Sequence, residues 1–451
     1  MQARNLTRRE FLASTSATTI ATVASPALPL GAGVTRTAGK PAILGGEPVR
    51  KNRTWPDWPY IDDQIVDAVV KTTRSGIWCR IQSAHGTVPT FEKEYARLMG
   101  SRFCVATGSG TQALHTCVEA LGIGPGDEVI TSPYTDPGTI ASILSARALP
   151  VLADLDPASY QLDPDDVERR ITENTRAIMP VHMMGQPCDL QRILALAKRH
   201  NLVVIEDAAQ AHLAEYQGRK LGTIAPLGCF SFQTSKTIAC GEGGAVLGDD
   251  EALMDKCYTV HNHGTNRAGR TECIGPKYRM NEFEAAVLLA QLAGAQERFE
   301  RRNRNAAYLT SRLRGFPGLV PQKLYEGTAS GSFYLYAMSY QAAHFDGLDR
   351  ARFLKAVAAE GVSLSPYIER GLHREPWVDH IVNSRAYQRM YPASRLRQYR
   401  EEMACPRCDQ VCAEMVMLWA SGPLLGSEAD MDDVADAILK VYEHREALRS
   451  I

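Results

Sequence analysis

The residue with the clearest chemical potential is Lys236, which follows a short apolar run and precedes a glycine-rich turn. The run Gly228-Cys229-Phe230-Ser231-Phe232 is typical of a buried strand, and Gly241-Glu242-Gly243-Gly244 is typical of a turn. This order predicts a strand that delivers an amine into a pocket walled by backbone. A lysine placed there can form a Schiff base with a carbonyl compound. The alternative from this segment alone is a surface lysine after a strand.

Two other segments carry a phosphate-binding pattern and an acid. Ser109-Gly110-Thr111 closes one predicted strand and opens a helix at Gln112, where backbone amides and the threonine hydroxyl favour a phosphate. A second strand, Leu202–Ile205, ends in Glu206-Asp207-Ala208-Ala209-Gln210-Ala211-His212. Its aspartate can approach a flat ring because small residues follow. Helix capping is the alternative for both segments, and a metal-ligand fragment is a further alternative for Asp207.

In chain order, these segments supply a phosphate nest, a strand-end aspartate, a serine hydroxyl and a lysine. Pyridoxal 5'-phosphate requires an anchored phosphate, an anionic partner for its ring nitrogen and an amine for its aldehyde. The sequence therefore predicts a pyridoxal-phosphate site.

The elements that must position these groups alternate between apolar runs and amphipathic segments. Strands are predicted at Phe103–Ala106, Glu128–Thr131, Leu149–Ala153, Ala177–Val181, Leu202–Ile205, Cys229–Phe232 and Ala245–Leu247. Helices are predicted to start near Thr111, Pro137, Pro164, Asp189 and Asp249. This alternation predicts a mostly parallel sheet between helices, with ligands at the carboxyl ends of its strands.

The carboxyl-terminal part reads as a smaller α+β lobe. Asn281 and Glu284 form a capping-box pattern that opens a long helix towards Arg314. One strand and two helices are predicted beyond it, at Ser332–Tyr340, Arg352–Ala359 and Asp432–Val441. The chain is accordingly divided into a signal and linker at 1–38, an amino-terminal arm and large domain at 39–295, and a small domain at 296–451.

The charge balance of the chain indicates what kind of partner it binds, and its amino-terminal segment indicates where in the cell it is located. The 451 residues contain 50 Lys and Arg against 51 Asp and Glu, which favours a small-molecule partner over nucleic acid or an anionic membrane. Arg8-Arg9 with Phe11-Leu12 precedes an uncharged segment that Pro26 and Pro29 interrupt, so we expect no membrane span. The pattern resembles a twin-arginine export signal and predicts an exported protein. The alternative is an unstructured extension on a cytoplasmic protein.

The cysteine cluster at residues 405–412 has three possible interpretations. Cys405-Pro406-Arg407-Cys408, with Cys412 nearby, could be a metal or redox site, a disulfide formed after export, or packing at a helix start. No histidine or second cysteine pair lies close in sequence to complete four ligands, so no metal is predicted.

Four ordered motifs resemble the DegT/StrS family of pyridoxal-phosphate-dependent sugar aminotransferases. They are the run from Glu206 to His212, Phe230-Ser231-Phe232-Gln233-x-x-Lys236, the turn at Gly241, and Tyr278-Arg279-Met280-Asn281-Glu282. The resemblance extends from about Pro41 to the end, closest to the branch of aminohydroxybenzoate synthase and the keto-inositol aminotransferases. It implies a homodimeric fold-type-I transferase, with a mostly parallel seven-stranded sheet and a smaller α+β carboxyl-terminal domain.

The resemblance also implies roles for individual residues. Lys236 would hold the cofactor as an internal aldimine and later move a proton. Asp207 would keep the pyridine nitrogen protonated, and Gln210 would contact the phenolic oxygen of the ring. Three residues would hold the phosphate: Gly110, Thr111 and Ser231.

Three positions depart from the family pattern. Asp136 stands where an aromatic ring usually packs against the cofactor, and Tyr134 is the candidate to replace that ring. Lys277 stands where an asparagine often reaches the phosphate in the neighbouring subunit, and a lysine could bind phosphate as a point charge. Leu213 stands where glycine is usual.

Several residues are candidates for the substrate pocket. His182 follows a strand and resembles the family's Val-His segment, so it either contacts the site or caps a turn. Arg279 and Tyr336 are further candidates, together with Tyr334 and His263, although core aromatics and solvated charges are the common alternative.

The resulting prediction is an aminotransferase that moves an amino group from glutamate or glutamine to a keto-sugar or keto-cyclitol. A sugar dehydratase is one alternative, although dehydratases of the family carry histidine in place of Lys236. A sensor that binds cofactor or sugar without turnover is the other, favoured by Asp136, Leu213 and the export signal.

Overall fold

The computed structural model of the protein describes residues 39–450. The predicted export signal, residues 1–38, lies outside the described residues and stays a prediction. Among residues 39–450, no helix is long and apolar enough to cross a membrane.

Fifteen strands occur in the described part of the chain. They are β1 Phe103–Thr107, β2 Glu128–Thr131, β3 Leu149–Leu152, β4 Leu155–Asp156, β5 Gln161–Leu162, β6 Thr175–Met179, β7 Val203–Asp207, β8 Glu215–Tyr216, β9 Arg219–Lys220, β10 Leu227–Ser231, β11 Gly244–Gly248, β12 Leu319–Pro321, β13 Thr328–Ser330, β14 Leu335–Tyr340 and β15 Met415–Trp419.

The α-helices of the same residues alternate with these strands in the first half of the chain. They are α1 Asp63–Ser75, α2 Thr87–Met99, α3 Gly110–Ala120, α4 Pro137–Ser145, α5 Pro164–Arg170, α6 Leu190–Arg199, α7 Glu251–His261, α8 Glu282–Ala293, α9 Ala295–Arg312, α10 Arg350–Ala359, α11 Trp377–Asn383, α12 Arg385–Met390, α13 Ala393–Glu401, α14 Pro406–Glu414, α15 Glu428–Glu443 and α16 Arg445–Leu448.

The main sheet has seven strands in the order β1-β11-β10-β7-β6-β2-β3. The pairs from β10 to β3 are parallel, whereas β11 is antiparallel to both β1 and β10. Strands such as β2, β10 and β11 are buried throughout, as expected for a sheet covered on both faces. The predicted mostly parallel seven-stranded sheet is therefore confirmed, with every predicted strand of this sheet present.

A second, antiparallel sheet of order β12-β14-β15 lies in the carboxyl-terminal part. Its residues Met338 and Val416 share one apolar core with Phe353 of α10 and Ile438 of α15. The predicted long helix from Asn281 is wrong in one respect, because α8 ends and α9 begins on either side of Gly294. The capping box at its start is confirmed.

Helices α11 to α13 were not predicted, whereas a helix start at Cys405, here that of α14, is one of the three interpretations of the cysteine segment. Of these helices, α12 and α13 contact the β2–β3 edge of the main sheet. The Tyr387 hydroxyl donates to the carbonyl of Ala148 at 3.1 Å, and the Tyr399 hydroxyl donates to the carbonyl of Pro150 at 2.8 Å. This segment also contains Cys405, Cys408 and Cys412, which are buried free thiols. Residues after 295 thus contact both sheets, and the division of the chain at that point stays a prediction.

A glycine contact lies near the start of β10. A Cβ atom on Gly228 would lie 2.0 Å from the carbonyl oxygen of Gly222, so neither chain could stay in place with a larger residue in β10. The preceding segment is held by Glu206, whose carboxylate accepts the amides of Gly222, Ile224 and Ala225. β10 therefore lies close to β7, whose carboxyl end contributes to the same pocket.

Candidate active site

A pocket of about 400 Å³ lies where β7 and β10 end and where α3 and α4 begin. Five of the residues predicted to bind the cofactor line it together: Gly110, Thr111, Asp207, Ser231 and Lys236. The other lining residues are Ser109, Leu114, Asp136, Gly138, Thr139, Ala209, Gln233, Ser235, Glu242, Tyr334 and Tyr367. The position matches the rule that ligands bind at the carboxyl ends of strands in open α/β sheets.

Lys236 is positioned by a turn that follows β10. Its amide donates to the carbonyl of Gln233 at 2.8 Å, while the Gln233 side-chain oxygen accepts the amide of Ser235 at 2.9 Å. The Lys236 Nζ lies 4.4 Å from the ring centroid of Tyr334, whose hydroxyl is hydrogen-bonded to Ser235 Oγ. Burial lowers the pKa of Lys236, although the charges of Asp207 and Asp136 act in the opposite direction. The amine is therefore biased towards its neutral, nucleophilic form.

Asp207 is the last residue of β7 and is buried. Thr139 Oγ1 donates to its Oδ2 at 2.8 Å, and the Ala209 amide donates to its Oδ1 at 3.2 Å. Burial raises the pKa of Asp207, while these two hydrogen bonds and the charge of Lys236 lower it. A cationic group bound in the pocket would favour the ionised carboxylate further.

The start of α3 lies next to the end of β10. Ser109 caps the helix, since its hydroxyl accepts the Gln112 amide at 3.2 Å, and α3 begins at Gly110, two residues before the predicted start. A Cβ atom on Gly110 would lie 2.8 Å from Ser231 Cβ, so glycine allows this close approach. The helix start and the hydroxyls of Thr111 and Ser231 line one pocket, which suits a phosphate.

His212 holds the end of β10 and was not predicted as a site residue. Its Nε2 donates to the Ser231 carbonyl at 2.8 Å, so Nδ1 is the acceptor for the Tyr95 hydroxyl, also at 2.8 Å. Burial lowers the pKa of His212 to about 3, and the ring is therefore neutral in ordinary buffers. Its position at the end of the Glu206–His212 motif is the sequence feature from which a role near the site could have been predicted.

Two predicted residues lie behind the pocket wall. The Gln210 side-chain oxygen accepts the Met184 amide at 2.7 Å, and its Nε2 donates to the Tyr367 hydroxyl at 3.1 Å. Gln210 thus reaches the pocket through Tyr367, a lining residue that sequence reasoning missed. Tyr134 is fully buried in an apolar core and does not line the pocket.

His182 belongs to a buried polar pair. The Cys188 amide donates to its Nδ1 at 3.2 Å, so Nε2 carries the proton and donates to Glu206 Oε2 at 2.9 Å. His182 is therefore engaged within the protein and does not line the pocket.

The remaining substrate candidates lie elsewhere. Tyr336 is buried in the core of the second sheet, with its hydroxyl hydrogen-bonded to Thr310 Oγ1 at 2.8 Å. Arg279 donates to Asn262 Oδ1 at 3.1 Å, and His263 and Lys277 are exposed outside the pocket. Of the tyrosines considered, Tyr334 lines the pocket.

Asp136 and Leu213, two of the positions that depart from the family pattern, each have a defined local structure. Asp136 caps α4, with its Oδ1 accepting the Gly138 amide at 2.8 Å, and it also lines the pocket. Leu213 is buried and has a φ of 64°, a left-handed conformation that costs a residue with a side chain about 1–2 kcal/mol relative to glycine. The backbone shape typical of glycine is thus retained at position 213.

A profile of the DegT/DnrJ/EryC1/StrS aminotransferase family matches residues 59–438. The chain belongs to this family. A relative in this aminotransferase family, the L-glutamine:2-deoxy-scyllo-inosose aminotransferase of Streptoalloteichus tenebrarius, is 35% identical over 429 residues, which cover 91% of this chain and 99% of the relative. The DegT/DnrJ/EryC1/StrS chain described here is an aminotransferase.

Solved structures agree with the fold of this aminotransferase. The crystal structure of 3-amino-5-hydroxybenzoic acid synthase matches with a TM-score of 0.74 and 28% identity, covering 86% of this chain and 98% of the other. An aminotransferase from Psychrobacter cryohalolentis matches with a TM-score of 0.75 and 28% identity, covering 87% and 100%. The fold is accordingly that of the pyridoxal-phosphate-dependent sugar aminotransferases, as predicted.

The neutral His212 ring predicts a pH dependence of stability in the cofactor-free protein. The unfolded chain binds a proton near pH 6.5, whereas the folded chain does so only near pH 3, so stability falls as the pH drops between these values. We expect His212→Gln to lessen this fall by up to about 1.4 kcal/mol per pH unit. Urea unfolding at pH 4.5 and pH 7 measures the difference.

The matched control for that measurement is His200→Gln, which changes an exposed histidine at the end of α6. Its stability should follow the wild-type pH dependence. Equal pH dependence in His212→Gln and the wild type would show that His212 is not held neutral.

Proposed function

We propose that this aminotransferase uses pyridoxal 5'-phosphate to transfer an amino group from glutamine or glutamate to a keto-cyclitol. The observation that carries the proposal is the meeting of three groups in one pocket: the Lys236 amine, the Asp207 carboxylate and the start of α3. The similarity to the L-glutamine:2-deoxy-scyllo-inosose aminotransferase of Streptoalloteichus supports glutamine as donor and a keto-inositol as acceptor. A keto-sugar is the related alternative acceptor.

The residues present fit the cofactor. Lys236 would attach to its aldehyde, Asp207 would hold a proton on the pyridine nitrogen, and the α3 start with Thr111 and Ser231 would bind its phosphate. The volume of about 400 Å³ lies in the range of ligand pockets. Pyridoxal 5'-phosphate, when bound, supplies an electron sink for cleavage of a bond at the amine-bearing carbon.

The protein's own groups would then perform three tasks. The Lys236 Nζ takes up a proton and returns it, which requires the neutral amine that burial favours. Asp207 stabilises positive charge on the ring because its carboxylate is buried and orientated by Thr139. Asp136 and Glu242 supply carboxylates that could bind the hydroxyls of a polyol.

The two alternatives are distinguished by chemistry at Lys236. A dehydratase is disfavoured because the pocket contains a lysine rather than a histidine at this place. A sensor would bind cofactor without being converted by any amino donor. Turnover with glutamine or glutamate therefore decides between an enzyme and a sensor.

The central test combines labelling with turnover. Borohydride reduction of the cofactor-loaded protein should leave a pyridoxyl group on Lys236, identified by peptide mapping. Incubation with glutamine and 2-deoxy-scyllo-inosose should yield an amine, measured by mass spectrometry. Lys236→Ala should abolish labelling and lower turnover by at least about 10³-fold, because the nucleophile and proton carrier are lost.

The control for this test is Lys198→Ala, an exposed lysine on α6 that should keep both signals. Labelling at another lysine would overturn the assignment of Lys236. Labelling at Lys236 without amine formation from any donor would favour the sensor.

We also propose a homodimer, supported by a run of exposed apolar side chains between residues 61 and 81. Ile61, Val66, Trp78 and Ile81 are 68%, 50%, 51% and 61% exposed. A cluster of exposed apolar side chains of this kind is typical of a protein–protein interface. The exposed Lys277 would then bind the cofactor phosphate of the other copy.

The dimer proposal predicts the effect of charge on this surface. The double variant Val66→Asp/Ile81→Asp should sediment as a monomer, since an interface would have to bury two carboxylates without partners. Val320→Asp changes a valine that is 47% exposed on β12, outside this surface, and should leave the sedimentation coefficient unchanged. Identical sedimentation of the double variant and the wild type would contradict the proposal.

Export is a separate part of the proposal, supported by Arg8-Arg9 and the uncharged segment after it. Fractionation of cells that make the tagged full-length chain should recover it outside the cytoplasm, and Arg8→Lys/Arg9→Lys should retain it inside. A wild-type chain that stays in the cytoplasm with its amino terminus intact would contradict export.

A further inference from the structure

A second cavity, of about 640 Å³, adjoins the catalytic pocket. It lies between α4 and the segment 367–377, and two residues, Asp136 and Tyr367, line both spaces. The first pocket must hold the cofactor in its 400 Å³, so an acceptor has to extend into adjoining space. The second cavity provides that space.

The walls of this cavity are mainly apolar. Ile140 and Leu144 of α4 form one side, and Ile368, Leu372 and Trp377 form the other. The polar atoms of the two aromatic wall residues are already engaged. Trp377 Nε1 donates to the Leu372 carbonyl at 2.8 Å, and the Tyr367 hydroxyl accepts from Gln210.

Charged groups occur at two places in the lining. Asp136 stands at the junction with the catalytic pocket. Arg370 and Glu375 have side chains 67% and 36% exposed, and their closest N–O distance is 3.9 Å. These two charges are solvated, so the cavity interior itself offers apolar contact.

We propose that the acceptor carries an apolar substituent, such as an aryl or alkyl group, that occupies this cavity. The inference rests on the proposed function, because it assumes that the keto ring lies near Lys236. A substituent on that ring would extend past Asp136 and Tyr367 into the cavity. The favoured acceptor would therefore be a substituted keto-cyclitol or keto-sugar, with a bare ring such as 2-deoxy-scyllo-inosose bound more weakly.

Binding of unreactive probes tests this inference apart from catalysis. Calorimetry on the cofactor-loaded protein compares a monobenzyl ether of myo-inositol with myo-inositol itself. The benzyl ether should bind at least about tenfold tighter, because an aromatic ring leaves water for an apolar site. Ala141→Phe fills the cavity from α4 and should lower this affinity ratio by at least about tenfold.

Ala252→Phe, an exposed alanine on α7, is the matched control and should keep the wild-type ratio. If Ala141→Phe fails to fold, Leu144→Asn makes the same wall polar and should lower the ratio in the same way. Equal affinity of the wild type for the two probes would overturn the inference. A change in the sedimentation coefficient of Ala141→Phe would overturn it too, assigning the cavity to a contact between subunits.

The outcomes for the two proposals remain distinct. Failure to aminate bare or substituted ketones, with the probe ratio intact, would count against the transferase and leave the apolar site in place. Amination of 2-deoxy-scyllo-inosose, with no gain from the benzyl group, would support the transferase and remove the apolar site.

Discussion

The burial of the Asp207 carboxylate at the end of β7 is the constraint on which the pocket depends. Removing a carboxylate from water is costly unless hydrogen bonds and an opposite charge compensate for it. Thr139 from α4, the Ala209 amide and Lys236 after β10 together supply that compensation. The same burial that raises the pKa of the acid lowers that of the amine. Burial therefore disfavours the charged form of both groups, which leaves the amine nucleophilic and makes the carboxylate depend on a cationic partner.

The position of the Lys236 amine depends on the contacts that hold the carboxyl end of β10 in place. A neutral histidine, His212, binds the Ser231 carbonyl, and Gly110 allows the start of α3 to approach Ser231. These contacts involve groups that do not change charge near neutral pH. The geometry that presents Lys236 is thus insulated from the protonation changes that catalysis requires.

The sequence was sufficient to predict the parts of the fold that follow local rules. Buried strands, the capping box at Asn281 and the order of Gly110, Asp207, Ser231 and Lys236 all derive from short segments. These four pocket residues could be predicted without knowledge of distant contacts, because strand ends in a parallel sheet meet at one edge.

The features that the sequence did not predict depend on contacts between residues that are far apart in the chain. Tyr367 lies far from every motif and enters the pocket wall beside Gln210, some 157 positions away in sequence. Tyr334 lines the pocket, whereas Tyr336 lies in the core of the second sheet. Their positions in the sequence do not show which of the two tyrosines faces the pocket. His182 follows a strand as a ligand-binding residue would, yet Glu206 and the Cys188 amide engage both of its nitrogens. Helices α12 and α13 have short, irregular patterns, and their place is determined by contacts with the β2–β3 edge.

Asp136 performs a structural task and faces the pocket at the same time, with consequences for how this lineage can change. Replacing it by an aromatic residue would put a ring into the pocket but remove the cap of α4, at a cost of about 1 kcal/mol. A chain near its stability threshold would have to gain that energy elsewhere first. The shape of the pocket and the stability of α4 are therefore linked at one residue, and a stacked ring at position 136 would require a compensating mutation elsewhere.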